Sequence, residues 1–155
     1  AVFITALSRN ERNAMKISAR NILKGTVEKV AEGAVNGVVT IKVGNDTVKA
    51  DTTMEAIKDL GLESGKEAFA IIKANSVMFA AGSERITTIS ARNQLPGTVV
   101  AVNKGAVNGH VTIKTESGNT IKGSITNEAI EDLGLEPGAP AMAVIKSTDV
   151  MVGAE

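Results

Sequence analysis

The stretch Ile17-Ser18-Ala19-Arg20-Asn21 decides the fold, because it returns 72 positions later as Ile89-Ser90-Ala91-Arg92-Asn93. Nearly everything that follows the first copy also follows the second, and more than half of the aligned positions are identical. One extra residue interrupts the alignment, in Glu116-Ser117-Gly118-Asn119. The chain therefore contains a duplicated domain, with a first unit at 15–82 and a second unit at 87–153.

The regions outside the two units are short. Residues 1–14 lack the pattern of a secretion signal. Residues 1–14 are expected to be an upstream remnant, an extra strand or a native extension, and the similarity of AVFITALS (1–8) to SVMFAAGS (76–83) favours the upstream remnant. The connector, at about 82 to 86, leaves the units little freedom. A unit of roughly 70 residues buries a modest share of its surface, so the units are expected to pack on each other or on another chain.

Composition excludes several classes of function. Acidic and basic residues balance at 17 each, so the zero net charge gives little means of neutralising nucleic-acid phosphates. The chain has no cysteine, which excludes disulfides, thiolate metal ligands and cysteine nucleophiles. A cytoplasmic location without a membrane partner is expected, because the absence of cysteine fits a reducing compartment and no apolar run reaches the ~18 residues that cross a bilayer.

Each unit has the pattern of a small β-protein. The segment VTIKV (39–43) alternates apolar and polar residues, as a half-buried strand does. Asn36-Gly37 predicts a tight hairpin turn with positive φ angles. One short helix is predicted between a capping threonine at 52–53 and a stop at Gly61. Five short strands and one helix per unit predict an all-β chain of two OB-like five-stranded small barrels.

Four motifs together resemble one known family. They are SARN (18–21), GAVNG (33–37), TNEAIEDLGL (126–135) and AVIKSTDVM (143–151), and they are similar to the Mop, or molbindin, domain of molybdate- and tungstate-binding proteins. The resemblance covers nearly all of 15–153 in two copies, like a tandem di-Mop protein. It implies OB-like barrels that bind oxyanions at interfaces between domains, and a homo-oligomer, expected to be a trimer.

The resemblance also implies the oxyanion-binding residues. In the family these are the Ser and Arg of the SARN motif, a Thr at the start of the helix, and the Lys and following Ser after the late strand. Carried over, they are Ser18, Arg20, Thr53 and Lys73 in the first unit, and Ser90, Arg92, Thr126, Lys146 and Ser147 in the second. Because Ala74 stands where the second unit has Ser147, sites that use the first unit's late strand are expected to be weaker.

These residue types suit a tetrahedral dianion, which offers only acceptor oxygens. Arginine presents a fixed fork of N–H donors, lysine a point charge, and serine and threonine hydroxyls that can turn towards oxygen. In an extended SARN segment, Ser18 and Arg20 are two apart and share a face. Without the resemblance, the same residues are simply a solvated Ser–Arg pair, a solvated lysine at a strand end and a helix cap.

The function that the resemblance implies is storage and buffering of molybdate or tungstate in the cytoplasm, with no catalytic cofactor and no metal bound directly. The alternative is the ligand-sensing C-terminal region of a molybdate-responsive transcription regulator. Nucleic-acid binding would need aromatic stacking platforms, whereas the chain has three Phe and no Trp or Tyr. An enzyme is not expected, because the one histidine, His110, has no evident catalytic partner in the sequence.

Overall fold

The computed structural model describes residues 15–154, so the expectation for residues 1–14 lies outside the described part of the chain. The first unit contains β1 (Asn21–Glu32), β2 (Asn36–Val43), β3 (Asp46–Thr53), α1 (Met54–Asp59), β4 (Glu67–Ile72), a 3₁₀ turn (Ala74–Ser76) and β5 (Met78–Ala81). The second unit repeats this order with β6 (Asn93–Lys104), β7 (Asn108–Thr115), β8 (Thr120–Thr126), α2 (Asn127–Asp132), β9 (Pro140–Ile145), a 3₁₀ turn (Ser147–Asp149) and β10 (Met151–Gly153).

The sequence pattern accounts for the strands and for the ends of the helices. In β2 the side chains of Val39, Ile41 and Val43 are fully buried, while Lys42 between them is exposed. Thr40, on the opposite face, is also buried, so the apolar positions alternate as predicted but the strand is more buried than a strand with only one face on a core. The helix α1 stops before Gly61, whose φ of 63° is the left-handed conformation that glycine adopts readily. The predicted strand and helix stop are therefore confirmed.

The hairpin between β1 and β2 corrects one expectation. Asn36 and Gly37 are the first residues of β2, and Gly37 does not have a positive φ, so the prediction of a positive-φ turn at this pair is wrong. The chain turns at 33–35 instead. Gly37 is buried, and a Cβ there would lie 2.8 Å from both Ile57 Cδ1 and Met54 Sδ. A glycine is needed here because the helix packs directly onto the strand.

Each sheet takes one edge strand from the other unit. The first sheet has the order β10-β4-β1-β2-β3, and the second has the order β5-β9-β6-β7-β8. Strand β5 pairs antiparallel with β9, with Met78 opposite Val144, and β10 pairs antiparallel with β4, with Met151 opposite Ile71. We term this the strand exchange. Because the sheets do not coincide with the sequence repeats, the domain boundaries 15–82 and 87–153 stay a prediction.

One apolar core runs through both sheets. Its fully buried side chains come from both units and include Ile41, Val48, Ile72, Ile113, Ile121 and Ile145. Each sheet curls towards a barrel, because β10 lies against β3 and β5 lies against β8, at the opposite edges of their sheets. The predicted all-β fold of two OB-like barrels, each with one short helix, is confirmed. Between residues 15 and 154, no helix has the length and apolar character needed to span a membrane.

Candidate functional site

The strand register brings two of the predicted cations to the same place in each unit. The last pair between β1 and β4 is Asn21 opposite Ile72, so Arg20 and Lys73 are the next residues at that end of the two strands. Both side chains are exposed. The second unit places Arg92 and Lys146 in the same way, beyond Asn93 opposite Ile145. Residues more than 50 positions apart in sequence therefore meet at one end of each sheet.

The asparagine of each SARN motif binds the other unit. Asn21 is 3% exposed; its Nδ2 donates to Lys122 O (2.8 Å) and to Ile72 O (3.2 Å), and its Oδ1 accepts from Lys122 N (2.8 Å). In the reciprocal contact, Asn93 Oδ1 accepts from Lys49 N (2.7 Å) and Asn93 Nδ2 donates to Lys49 O (2.8 Å). No role is predicted for these asparagines from the sequence, although their recurrence in both copies is a signal that could have found them.

These contacts place the first SARN motif beside the second barrel and create a cleft of about 620 Å³. The cleft contains three cationic side chains, two hydroxyls and no Asp or Glu among the described residues that line it. Its lining consists of Lys16, Ile17, Ala19, Arg20, Asn21, Ile22, Thr112, Thr120 and Lys122. Because positive charge and donors dominate this surface, the cleft suits an anion with several acceptor oxygens. Of the predicted residues, only Arg20 lines it.

The predicted threonines cap the two helices. Thr53 Oγ1 accepts from Ala56 N, and Thr126 Oγ1 accepts from Ala129 N, both at 3.1 Å. Each hydroxyl hydrogen is left free to donate to another acceptor. Thr126 stands four residues beyond Lys122 on β8, which is about 13 Å along a strand, and it does not line the cleft. The assignment of both threonines to an oxyanion site stays a prediction.

Substitution of Thr126 by alanine (Thr126→Ala) should lower the free energy of unfolding by about 1 kcal/mol, because it removes a helix N-cap. If Thr126 also donates to an oxyanion, the same change should weaken molybdate binding at temperatures far below the unfolding transition. Thr126→Ser keeps the hydroxyl and should preserve both properties. Thermal unfolding and isothermal titration measure the two effects. Unchanged molybdate affinity in Thr126→Ala would remove this residue from the binding set.

The predicted serines occupy exposed or half-buried positions outside the cleft. Ser18 and Ser90 are exposed just before β1 and β6. Ser147 opens the 3₁₀ turn that packs against β3 of the first unit, and the turn that begins at Ala74 packs against β8 of the second. Strand β8 also carries Lys122. The hydroxyl that is missing at Ala74 is therefore missing on the side of the molecule that contains the cleft.

The two equivalent faces of the barrels differ in exposure. In the second unit, Thr120 and Lys122 are exposed, and Thr112 is half-buried. In the first unit, their aligned counterparts Thr47 and Lys49 are half-buried, and the counterpart of Thr112, Thr40, is only 3% exposed. The face of the first barrel that Asn93 binds is therefore more closed than the face of the second barrel that Asn21 binds.

Comparison with known proteins gives a consistent set of matches. A family model, the TOBE domain, matches residues 17–79 and 89–152. The molybdenum transport protein ModE of Azotobacter vinelandii is 36% identical over 140 residues, which are 90% of this chain and 51% of ModE. A probable molybdenum-pterin-binding protein of Haemophilus influenzae is 55% identical over 65 residues, which are 41% of this chain and 94% of that protein. The chain thus spans about half the length of ModE. About one unit of the chain spans nearly all of the shorter Haemophilus protein.

One solved structure matches both units together. It is a crystal structure of the cytoplasmic molybdate-binding protein ModG with molybdate bound. It has a TM-score of 0.86 and 46% sequence identity to this chain, and the match covers 91% of this chain and 100% of the ModG chain. The likeness therefore extends to the way in which the two units are arranged.

Proposed function

Because this chain belongs to the TOBE-domain family and carries that domain twice, we propose that it binds and stores molybdate or tungstate in the cytoplasm. The observation that carries this proposal is the cleft between the units, in which Arg20 of the first unit and Lys122 of the second line one cavity without a carboxylate among its described residues. The names of the relatives agree with it, since ModE and the Haemophilus protein are named for molybdenum and ModG for molybdate.

The residues of the cleft divide the binding of a tetrahedral dianion among them. The Arg20 guanidinium can donate two parallel hydrogen bonds to oxygens of the anion, and the Lys122 ammonium adds a charge from the other unit. Thr112 and Thr120 add hydroxyls that can donate. The described lining offers donors and charge but no thiol, imidazole or carboxylate, so it favours reversible binding over catalysis.

The proposal extends to a homotrimer, in which other copies complete sites that use Lys73, Lys146 and Ser147. Exposed apolar side chains recur at aligned positions of both units, which supports symmetrical association through both. These pairs are Ile17 and Ile89, Val35 and Val107, and Met78 and Met151. The match to the full length of ModG favours the storage role over the ligand-sensing region of a transcription regulator.

Native mass spectrometry with and without molybdate tests assembly and ligand binding together. We expect a species of three times the 16.0 kDa chain mass that gains discrete molybdate increments, and tungstate should produce the same number of increments. A variant in which Arg20 and Lys122 are both changed to glutamine is the matched control and should gain fewer. The proposal fails if neither oxyanion adds mass to the wild-type protein.

A further inference from the structure

We propose that pairing between the two units is selective, so that a first unit pairs with a second unit and not with another first unit. The strand exchange obliges every unit to pair, because each sheet lacks an edge strand until another unit supplies it. The repeats are similar enough that like-with-like pairing between two chains is an obvious competitor. Two contacts at the pairing surface distinguish the correct partner from the wrong one.

The first contact is steric. Strand β5 of the first unit inserts Phe79 over Gly123 in β8 of the second. A Cβ on Gly123 would overlap the ring, at 2.7 Å from Phe79 Cζ and closer still to Cε2. The aligned residues in the opposite exchange are Val152, on β10, and Ala50, on β3. A first unit paired with another first unit would set Phe79 over Ala50, whose Cβ occupies the forbidden position.

The second contact is polar. Asp46, the first residue of β3, accepts three hydrogen bonds from the second unit at its Oδ2: from Thr115 Oγ1 (2.6 Å), Ser117 Oγ (2.7 Å) and Asn119 Nδ2 (2.6 Å). Asn119 is 1% exposed, and its Nδ2 also donates to Val43 O (2.9 Å). Ser117 lies in the insertion that distinguishes the second unit.

The polar contact is as selective as the steric one. Asp46 and Asn119 are aligned residues, as are Val43 and Thr115. The contact therefore joins the β2–β3 turn region of the first unit to the corresponding β7–β8 turn region of the second. In a pair of first units, two Asp46 carboxylates would meet with valine in place of Thr115 and without the serine of the insertion. Two like charges without donors repel each other at a partly buried site, which disfavours that pair.

Exclusion of one wrong pair is sufficient to exclude both. Every chain carries one first unit and one second unit, so each pair of second units would leave two first units without an acceptable partner. Every pair then contains one first unit and one second unit, whether these belong to the same chain or to two copies of it. Selective pairing also ensures that Arg20 always lies in a cleft with Lys122 of a second unit, and never with Lys49 of another first unit.

A double-substitution cycle tests the steric contact. Gly123→Ala should lower the midpoint of thermal unfolding by about 10 °C, since the added methyl group would overlap the edge of the Phe79 ring. Combination with Phe79→Val should restore most of this loss, because the double variant recreates the Ala50–Val152 combination of the other exchange. A double variant no more stable than Gly123→Ala would overturn the steric part of the proposal.

Cysteine cross-linking tests pairing itself, since the wild-type chain has no cysteine. Asn45→Cys places a thiol in the turn beside Asp46, where two first units would face each other. After refolding at high protein concentration and oxidation, disulfide-linked dimers should be several-fold more abundant when Asp46→Asn and Phe79→Val are also present, because both barriers are then removed. Glu63→Cys with the same two substitutions measures random collisions. An equal dimer yield from Asn45→Cys with and without the two substitutions would overturn the proposal.

Discussion

Asn21→Asp should lower the free energy of unfolding by about 3–5 kcal/mol, because it leaves an unpaired charge at a buried contact between the units. Asn21 is 3% exposed, and its Nδ2 donates to the carbonyl oxygens of Lys122 and Ile72. A carboxylate cannot donate to either carbonyl, so the substitution also replaces two hydrogen bonds with contacts between acceptors. Urea unfolding followed by circular dichroism measures the loss.

Two further variants separate charge from hydrogen bonding. Asn21→Ala loses the same hydrogen bonds without burying a charge, and it should cost less than Asn21→Asp. Asn103→Asp makes the same chemical change at an exposed position on β6 and should leave stability within about 0.5 kcal/mol of the wild type. If Asn21→Asp is as stable as Asn103→Asp, the asparagine does not hold the units together.

Lys122→Glu should weaken molybdate binding by about 100-fold, which corresponds to about 2.7 kcal/mol. The substitution replaces an attractive charge with a repulsive one in the cleft that Lys122 shares with Arg20. The fold should survive, because Asn21 binds the backbone N and O of residue 122 and the lysine side chain is exposed. Isothermal titration of both proteins at about 0.1 M salt, where the Debye length is about 10 Å, measures the change in affinity.

The matched control is Lys66→Glu, which changes the net charge by the same amount at an exposed loop position. This variant should bind molybdate as the wild type does, since exposed charges farther apart than about 8–10 Å are screened. The loss in Lys122→Glu should shrink as the salt concentration rises. Equal affinities for Lys122→Glu and Lys66→Glu would show that the oxyanion binds elsewhere.

The sequence predicts the elements of this fold better than their partners. The inward apolar positions of 39–43 and the threonine cap before α1 are local patterns, and both recur in the structure, although Thr40 is buried as well. The strand exchange could not be predicted, because β5 and β10 have similar patterns and either would fit either sheet. The turn predicted at Asn36-Gly37 was wrong because a glycine can be needed for two reasons that look alike in sequence. It can provide backbone freedom in a turn, or, as at Gly37, space for a neighbouring side chain.

In the candidate site, too, local motifs could be predicted from the sequence and long-range contacts could not. The motif and its arginines are visible in the sequence, and the resemblance names the lysines that the register then sets beside them. The cleft itself depends on Asn21 reaching the backbone of a residue 101 positions away, and no local pattern encodes such a contact. Lys122 was not predicted for this reason, since an isolated lysine on a strand looks like any solvated charge.

The strand exchange changes the order of the folding reaction with respect to protein concentration. A protein with a single unit can complete this pair of sheets only by meeting a second molecule, so its stability must fall on dilution. Here the connector at 82–86 makes the same step unimolecular, at an effective concentration of the order of millimolar. The paired units, with the cleft between them, should therefore persist at cellular levels too low for separate units to associate.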